Sequence, residues 1–169
     1  SEKQRFQLKA IGGDLHIRCA QGHSKDLGVK SDLLLTPVVG DELKTAVFRG
    51  TYTTELQSIL DNVLHAMSRE HLHLTTRDVS KTSQTGRGSS KAASGSRSSC
   101  TLVIEVDMER AAKAGLRFWR SSNGVYLTEG DQDRSLHPDF SKSIRRMVTK
   151  GKPWVDVIPH QGMDERRGR

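Results

Sequence analysis

A chain of 169 residues is the size of a single domain, which typically spans about 100–200 residues, and its two cysteines exclude a disulfide framework and lack the paired spacing of a zinc site. It is 34% hydrophobic and 5% aromatic, with no apolar run long enough to span a membrane and no secretory signal, so no membrane partner is expected and a cytoplasmic or nuclear location is. The net charge of +7 points to a polyanionic partner, nucleic acid first.

Arg5 to Lys9 alternates like a strand, Gly12-Gly13-Asp14 supplies a turn, and Leu15 to Ala20 returns, so the chain opens with a hairpin. Gln21 to Asp32 reads as loop. Leu33 to Leu35 is expected as a short buried strand stopped by Pro37, and Ala46 to Arg49 as another ending in Gly50-Thr51. Thr53 or Thr54 caps a helix in which Leu56, Ile59, Leu60, Val63 and Leu64 recur at helical spacing. His71 to Thr75 is a strand. It runs into Thr76 to Ser99, a Ser/Gly/Lys-rich stretch with almost nothing to bury, expected as a flexible insert.

Leu102 to Val106 is an apolar run broken only by Glu105, read as a strand covered on both faces. Met108 to Ala114 reads as a short helix ended by Gly115, and Leu116 to Arg120, Ser121 to Gly124 and Val125 to Thr128 as a second hairpin. Ser141 to Met147 is expected as a weak last helix, and residues 148–169 as a basic C-terminal tail. Strands outnumber helices, so the fold class is α+β built on antiparallel sheet. A monomer is expected.

The positive charge is uneven. Five Lys/Arg stand against one acid between Arg77 and Cys100, and eight against three from Lys142 to the end, which leaves the remainder net negative. The excess is therefore expected on flexible arms, where it attracts polyanions by counterion release.

Chemistry-bearing residues are scattered. His71 and His73 flank Leu72 in a strand and so share one face, able to bind metal, transfer protons or hold a nucleotide. No third ligand lies at close spacing, so no metal is expected. Arg49-Gly50-Thr51 ends one strand and Ser122-Asn123-Gly124 turns between two others. In both, glycine lets a ligand approach the backbone beside hydroxyl and amide groups able to bind ribose or phosphate, although such strand ends are more often plain turns. Arg5, Arg18, Arg69 and Arg97 stand singly; arginine suits bidentate phosphate recognition, but exposed arginines are mostly solvated, so their chemistry alone assigns them no site.

Read in order, Lys3-Gln4-Arg5-Phe6, Ile17-Arg18-Cys19-Ala20-Gln21-Gly22-His23-Ser24, Arg49-Gly50-Thr51, Met67-Ser68-Arg69-Glu70-His71-Leu72-His73-Leu74, Ser94-Gly95-Ser96-Arg97 and Phe118 to Thr128 resemble the signature blocks of the RNA (tRNA) 2'-phosphotransferase family. The resemblance covers roughly Glu2 to Ile144. It implies an ADP-ribosyltransferase-like split sandwich of small antiparallel sheets over residues 1–147. It also implies an NAD-dependent enzyme that transfers a splice-junction 2'-phosphate of RNA to NAD, giving ADP-ribose 1'',2''-cyclic phosphate, nicotinamide and 2'-OH RNA. Carried over by block, Arg5 and Arg69 are the catalytic residues. Arg49, Gly50, Thr51, His71, His73, Ser122, Asn123 and Gly124 bind NAD, and Arg18, Gln21, His23, Ser24 and Arg97 contact RNA.

Two departures qualify the resemblance. The family's adjacent Arg-His pair sits in an N-terminal winged-helix-like lobe, and no Arg-His dipeptide occurs here. The lobe is expected to be absent from this chain, and the chain alone is expected to be poorly active. The family's His-Gly-Thr is Arg49-Gly50-Thr51 here, which replaces a near-neutral aromatic group with a permanent cation. The competing functions are an ADP-ribosyltransferase acting on nucleic-acid phosphate ends or protein, and a non-catalytic NAD- or RNA-binding module.

Overall fold

A computed structural model describes residues 6–20, 23–28, 30–61, 64–82, 95–97, 99–150 and 152–158. In chain order its elements are β1 (Phe6–Ile11), β2 (Asp14–Cys19), α1 (Ser31–Leu34), β3 (Thr36–Pro37), β4 (Val47–Thr51), α2 (Leu56–Asp61), β5 (Leu64–His65), β6 (Leu72–Leu74), α3 (Val79–Thr82), β7 (Leu102–Val106), α4 (Met108–Lys113), β8 (Phe118–Arg120), β9 (Tyr126–Thr128), β10 (Ser135–Leu136), β11 (Ser141–Arg146) and β12 (Val155–Ile158). The strands form two four-stranded sheets, ordered β12-β11-β7-β4 and β3-β8-β9-β6, and two isolated pairs, β1-β2 and β10-β5. Every pairing is antiparallel. The α+β class with small antiparallel sheets and few short helices is the one read from the sequence.

The run Leu102 to Val106 forms the inner strand β7, flanked by β4 and β11, with Glu105 as its one polar, partly exposed residue. Leu102, Ile104 and Val106 face one core with Val47 and Ile144, while Val103 packs on the other face with Phe48, Val79 and Cys100. Asp107 caps α4 by accepting from the Arg110 amide at 3.0 Å. The second sheet sends Leu72, Leu74, Phe118 and Tyr126 into the same main core. Its opposite face carries Trp119, Val125 and Leu127, covered by Leu35.

Three expectations are corrected. Leu33 to Leu35 is not a strand: Ser31–Leu34 is a helical turn, and β3 is only Thr36–Pro37. Three successive leucines carry no periodicity, and tertiary packing buries Leu35 while Leu33 is left exposed. Ser141 to Met147 is strand β11, not a helix. Its Ile144 pairs with Ile104 and is buried, so completing β7's second neighbour overrides a weak local preference. The basic tail does not begin at 148 as a free arm: β12 pairs with β11, and Trp154 packs against the Phe48–Val103 cluster.

The basic arms are accordingly less free than composition suggests. Arg145 lies 2.9 Å from Asp78, donates to the Ser80 hydroxyl at 2.6 Å and stacks over Phe48. At the near end of the expected insert, Asp78, Val79 and Ser80 are buried, and at its far end Ser96 is too. Residues 83–94 of that insert lie outside the described residues. The expected helix after Thr54 is shorter, with Leu64 taken into β5 and Val63 outside the described residues.

Candidate functional site

The two four-stranded sheets meet at β4 and β6. Phe48 and Thr75 form a two-way backbone bridge there, the Phe48 amide donating at 2.7 Å and the Thr75 amide at 2.9 Å. Beyond the bridge the strands diverge, and the side chains of Arg49 and His73 lie at the split. Arg49 Nη1 donates to the His73 carbonyl at 3.2 Å. The far end of the insert folds over this junction, with the Gly50 amide donating to the Gly95 carbonyl at 2.8 Å. Both glycines are required by close approach. A Cβ on Gly50 would overlap the Ser96 side chain, and one on Gly95, whose φ is +95°, would come within 2.8 Å of the His73 carbonyl oxygen.

His71 and His73 share a face, as expected from the strand period, but both are buried at 6% exposure rather than lying on the surface. Burial pushes His73 down to about 4, helped by the Arg49 and Arg69 guanidinium groups and by His71. Burial also lowers His71, opposed by the carboxylates of Glu129 and Glu70. Arg49 is lowered by burial too, partly offset by Cys100, with Arg69 and Arg97 adding repulsion. Three guanidinium groups therefore act on one small region whose histidines stay neutral near pH 7. Such a region favours anions and adds no imidazolium charge of its own.

The Arg69 backbone is bridged to Ser24, and the Glu70 amide donates to the His23 carbonyl at 3.2 Å, so His23 and Ser24 are brought to the same edge. The Ser122-Asn123-Gly124 turn follows β8 and leads into Tyr126, which pairs with Leu74. Gly124 has φ +78°, and Ser121 pins the turn: its hydroxyl lies 2.6 Å from Asn123 Oδ1 and accepts from the Val125 amide at 3.1 Å. Thr51 ends β4, where its carbonyl accepts from the Thr101 amide at 2.9 Å. Arg18 is not drawn in by any hydrogen bond to these residues. It is exposed on β2 and donates to Gln7 at 2.8 Å. Arg5 and Gln21 lie outside the described residues.

The family model of the RNA 2'-phosphotransferases, Tpt1/KptA family, matches residues 1–130. The chain belongs to this family. Among curated relatives, tRNA 2'-phosphotransferase 1 of Danio rerio is 33% identical over 151 residues, covering 87% of this chain and 62% of that protein. The human protein of the same name is 33% identical over 157 residues, covering 90% of this chain and 57% of its own. A probable RNA 2'-phosphotransferase of Nostoc punctiforme is 38% identical over 130 residues, covering 76% and 61%. The chain thus spans about three-fifths of the length of these relatives.

Within this 2'-phosphotransferase-family chain, several residues of the site were invisible in the sequence. Glu129, Arg117 and Cys100 stand outside the signature blocks and become neighbours of them only through tertiary structure, whereas Ser96 and Ser121 stand inside two of those blocks but were not singled out there. Ser121 alone had a usable signal, as a hydroxyl four residues before the partner of its turn. Among the described residues no group of three or more His, Cys, Asp or Glu could hold a metal ion, and no helix is long and apolar enough to cross a membrane.

Proposed function

We propose that this chain is the catalytic, NAD-binding part of an NAD-dependent tRNA 2'-phosphotransferase with an ADP-ribosyltransferase-like fold. One observation carries the reading: at the split between two sheets the Arg49 and Arg69 guanidinium groups act on the buried, neutral His73, and Arg97 acts in turn on Arg49. The residues fit the co-substrate. Among the described residues Arg49 Nε and Ser96 Oγ are buried with no hydrogen-bond partner, and Gly50 and Gly95 keep the backbone open beside them.

NAD, when bound, would supply the ribose carbon that the RNA 2'-phosphate attacks as nicotinamide leaves, and the neighbouring 2''-hydroxyl that then displaces the RNA 2'-oxygen from phosphorus, giving ADP-ribose 1'',2''-cyclic phosphate and 2'-OH RNA. The protein's part is electrostatic. Arg69, at an exposed turn, grips the phosphate and stabilises the charge that develops during transfer. Arg5 of the first signature block shares that role. Arg49 is fixed by the His73 carbonyl and offers its remaining donors to the pyrophosphate. His71 and His73, held neutral by burial, pack beside the cationic nicotinamide without repelling it. Thr51 and the Ser122-Asn123-Gly124 turn hold the ribose end. Arg18, Gln21, His23, Ser24 and Arg97 are the residues that the family blocks offer for contact with RNA.

The test is full-length protein incubated with NAD and an RNA bearing an internal 2'-phosphate, following both nicotinamide release and phosphate loss. The two should appear together, and Arg69→Ala should slow both by about 10²–10³ while NAD binding persists. Nicotinamide release with the 2'-phosphate retained on RNA would instead identify an ADP-ribosyltransferase.

A further inference from the structure

The turn that carries Arg69 is held in shape by residues far from it in sequence. It closes with the Arg69 amide donating to the Ala66 carbonyl at 3.2 Å, and Met67 within it takes φ +58°, a left-handed conformation that side chains disfavour. The Met67 side chain is 81% exposed, so its own burial does not offset that strain. Strained backbone persists where its surroundings over-determine it. On one side Ser24 bridges to Arg69, and the Glu70 amide donates to the His23 carbonyl. On the other, β10 pairs with β5 just ahead of the turn, Ser135 with His65, and the Ala66 amide donates to the Arg134 carbonyl at 3.2 Å. Just after the turn, Arg134 Nη1 donates to Glu70 Oε2 and Nη2 to Glu70 Oε1, each at 3.2 Å. Arg134 therefore grips both flanks of the turn, by its carbonyl at Ala66 and by its guanidinium at Glu70.

We propose that Arg134 is a positioning residue for the reaction, a clamp that fixes the Ala66–Glu70 turn so that the Arg69 guanidinium meets the RNA phosphate in one place. The inference rests on the reading of Arg69 as the group that grips that phosphate. A donor that stabilises developing charge must already be in position, and a misplacement of about 1 Å costs up to about 10²-fold in rate. The clamp is firm at its own base. Arg134 has φ +57°, its amide donates to the Asp131 carbonyl at 3.0 Å, and the Asp131 carboxylate accepts from the Ser135 amide at 3.0 Å and from the Ser135 hydroxyl at 2.8 Å. A Cβ on Gly130 would overlap the Ser135 backbone, so the turn closes tightly beneath Arg134. The two parallel bonds of the fork fix orientation as well as distance, which a lysine ammonium cannot do. Arg134 stands past residues 1–130, the stretch that the family model matches.

The test uses full-length protein, NAD and an RNA bearing an internal 2'-phosphate. Arg134→Met keeps the bulk of the side chain and removes the fork, and it should lower kcat about tenfold with KM for NAD unchanged. Arg134→Lys should recover little of that loss, and Glu70→Gln, which weakens the fork from its other partner, should show a smaller fall of the same kind. Because Arg134 acts through Arg69, adding Arg134→Met to Arg69→Ala should cost nothing further, whereas independent effects multiply. Amide hydrogen exchange reads the clamp without turnover. In Arg134→Met the Arg69 and Glu70 amides should exchange about tenfold faster, while those of Leu102–Val106 keep their wild-type rates and so report an intact fold. Multiplied losses in the double variant, or unchanged exchange at Arg69 and Glu70, would overturn the proposal. Faster exchange in a protein whose unmodified form turns over no NAD would instead sink the reading of Arg69, so the two failures are distinct.

Discussion

His73 is the residue whose position says most about the site. It is 6% exposed and held near 4, against an ordinary 6.5, because its backbone sits at the sheet junction and its ring is buried beside Arg49 and Arg69. The unfolded chain takes up a proton on this ring below about pH 6.5, whereas the folded chain resists until about 4. Folding is therefore unpenalised above about 6.5 and loses up to about 3 kcal/mol as pH falls from there to 4. Urea unfolding of wild type and His73→Gln across that window measures the difference directly. Wild type should lose stability more steeply than the variant, and parallel curves would show that the ring protonates freely in the native state. Because the strand period alone placed His71 and His73 on one face, their partnership was legible. Their burial was not, since it depends on β4 closing over β6.

At the scale of elements, β7 could be read from four apolar residues among the five of Leu102–Val106, because a strand covered on both faces favours such a run, and only Glu105 interrupts it. β11 could not. The segment Ser141–Arg146 carries a single buried apolar residue, Ile144, whose place was decided by the open edge of β7 rather than by local propensity. Ile144→Ala should cost about 2–4 kcal/mol, the range for emptying a well-packed core position. Lys142→Ala should cost under about 0.5 kcal/mol, as surface changes usually do. Chemical denaturation of both variants checks this, and equal small effects would mean that Ile144 is not in the core. The same logic explains α1: Leu35 was drawn under Trp119 and Leu127, and the preceding residues closed into a helical turn to deliver it.

Across the whole molecule, the two four-stranded sheets share the main core, but among the described residues β1 and β2 pair only with each other. The register puts Phe6, Leu8, Ala10, Leu15, Ile17 and Cys19 on one face, and Phe6, Leu8, Leu15 and Ile17 remain more than half exposed. A two-stranded hairpin contributes little stability by itself. In this chain, Ile17→Lys should therefore shift the unfolding free energy by less than about 0.5 kcal/mol. A thermal melt showing a large loss would mean that the hairpin face is packed in solution. Sequence by itself determined the family, the α+β class, both hairpins, β7 and the grouping of His71 with His73, because these follow from short-range period, turn residues and block order. Tertiary structure decided the rest. Whether Ser141 to Arg146 became helix or strand, where Arg145 went, and that Arg49 reaches the His73 carbonyl while Glu129 reaches His71 all depend on which strands became neighbours. The residues concerned stand 24 and 58 positions apart in the last two cases, and no local period can encode a contact across that distance.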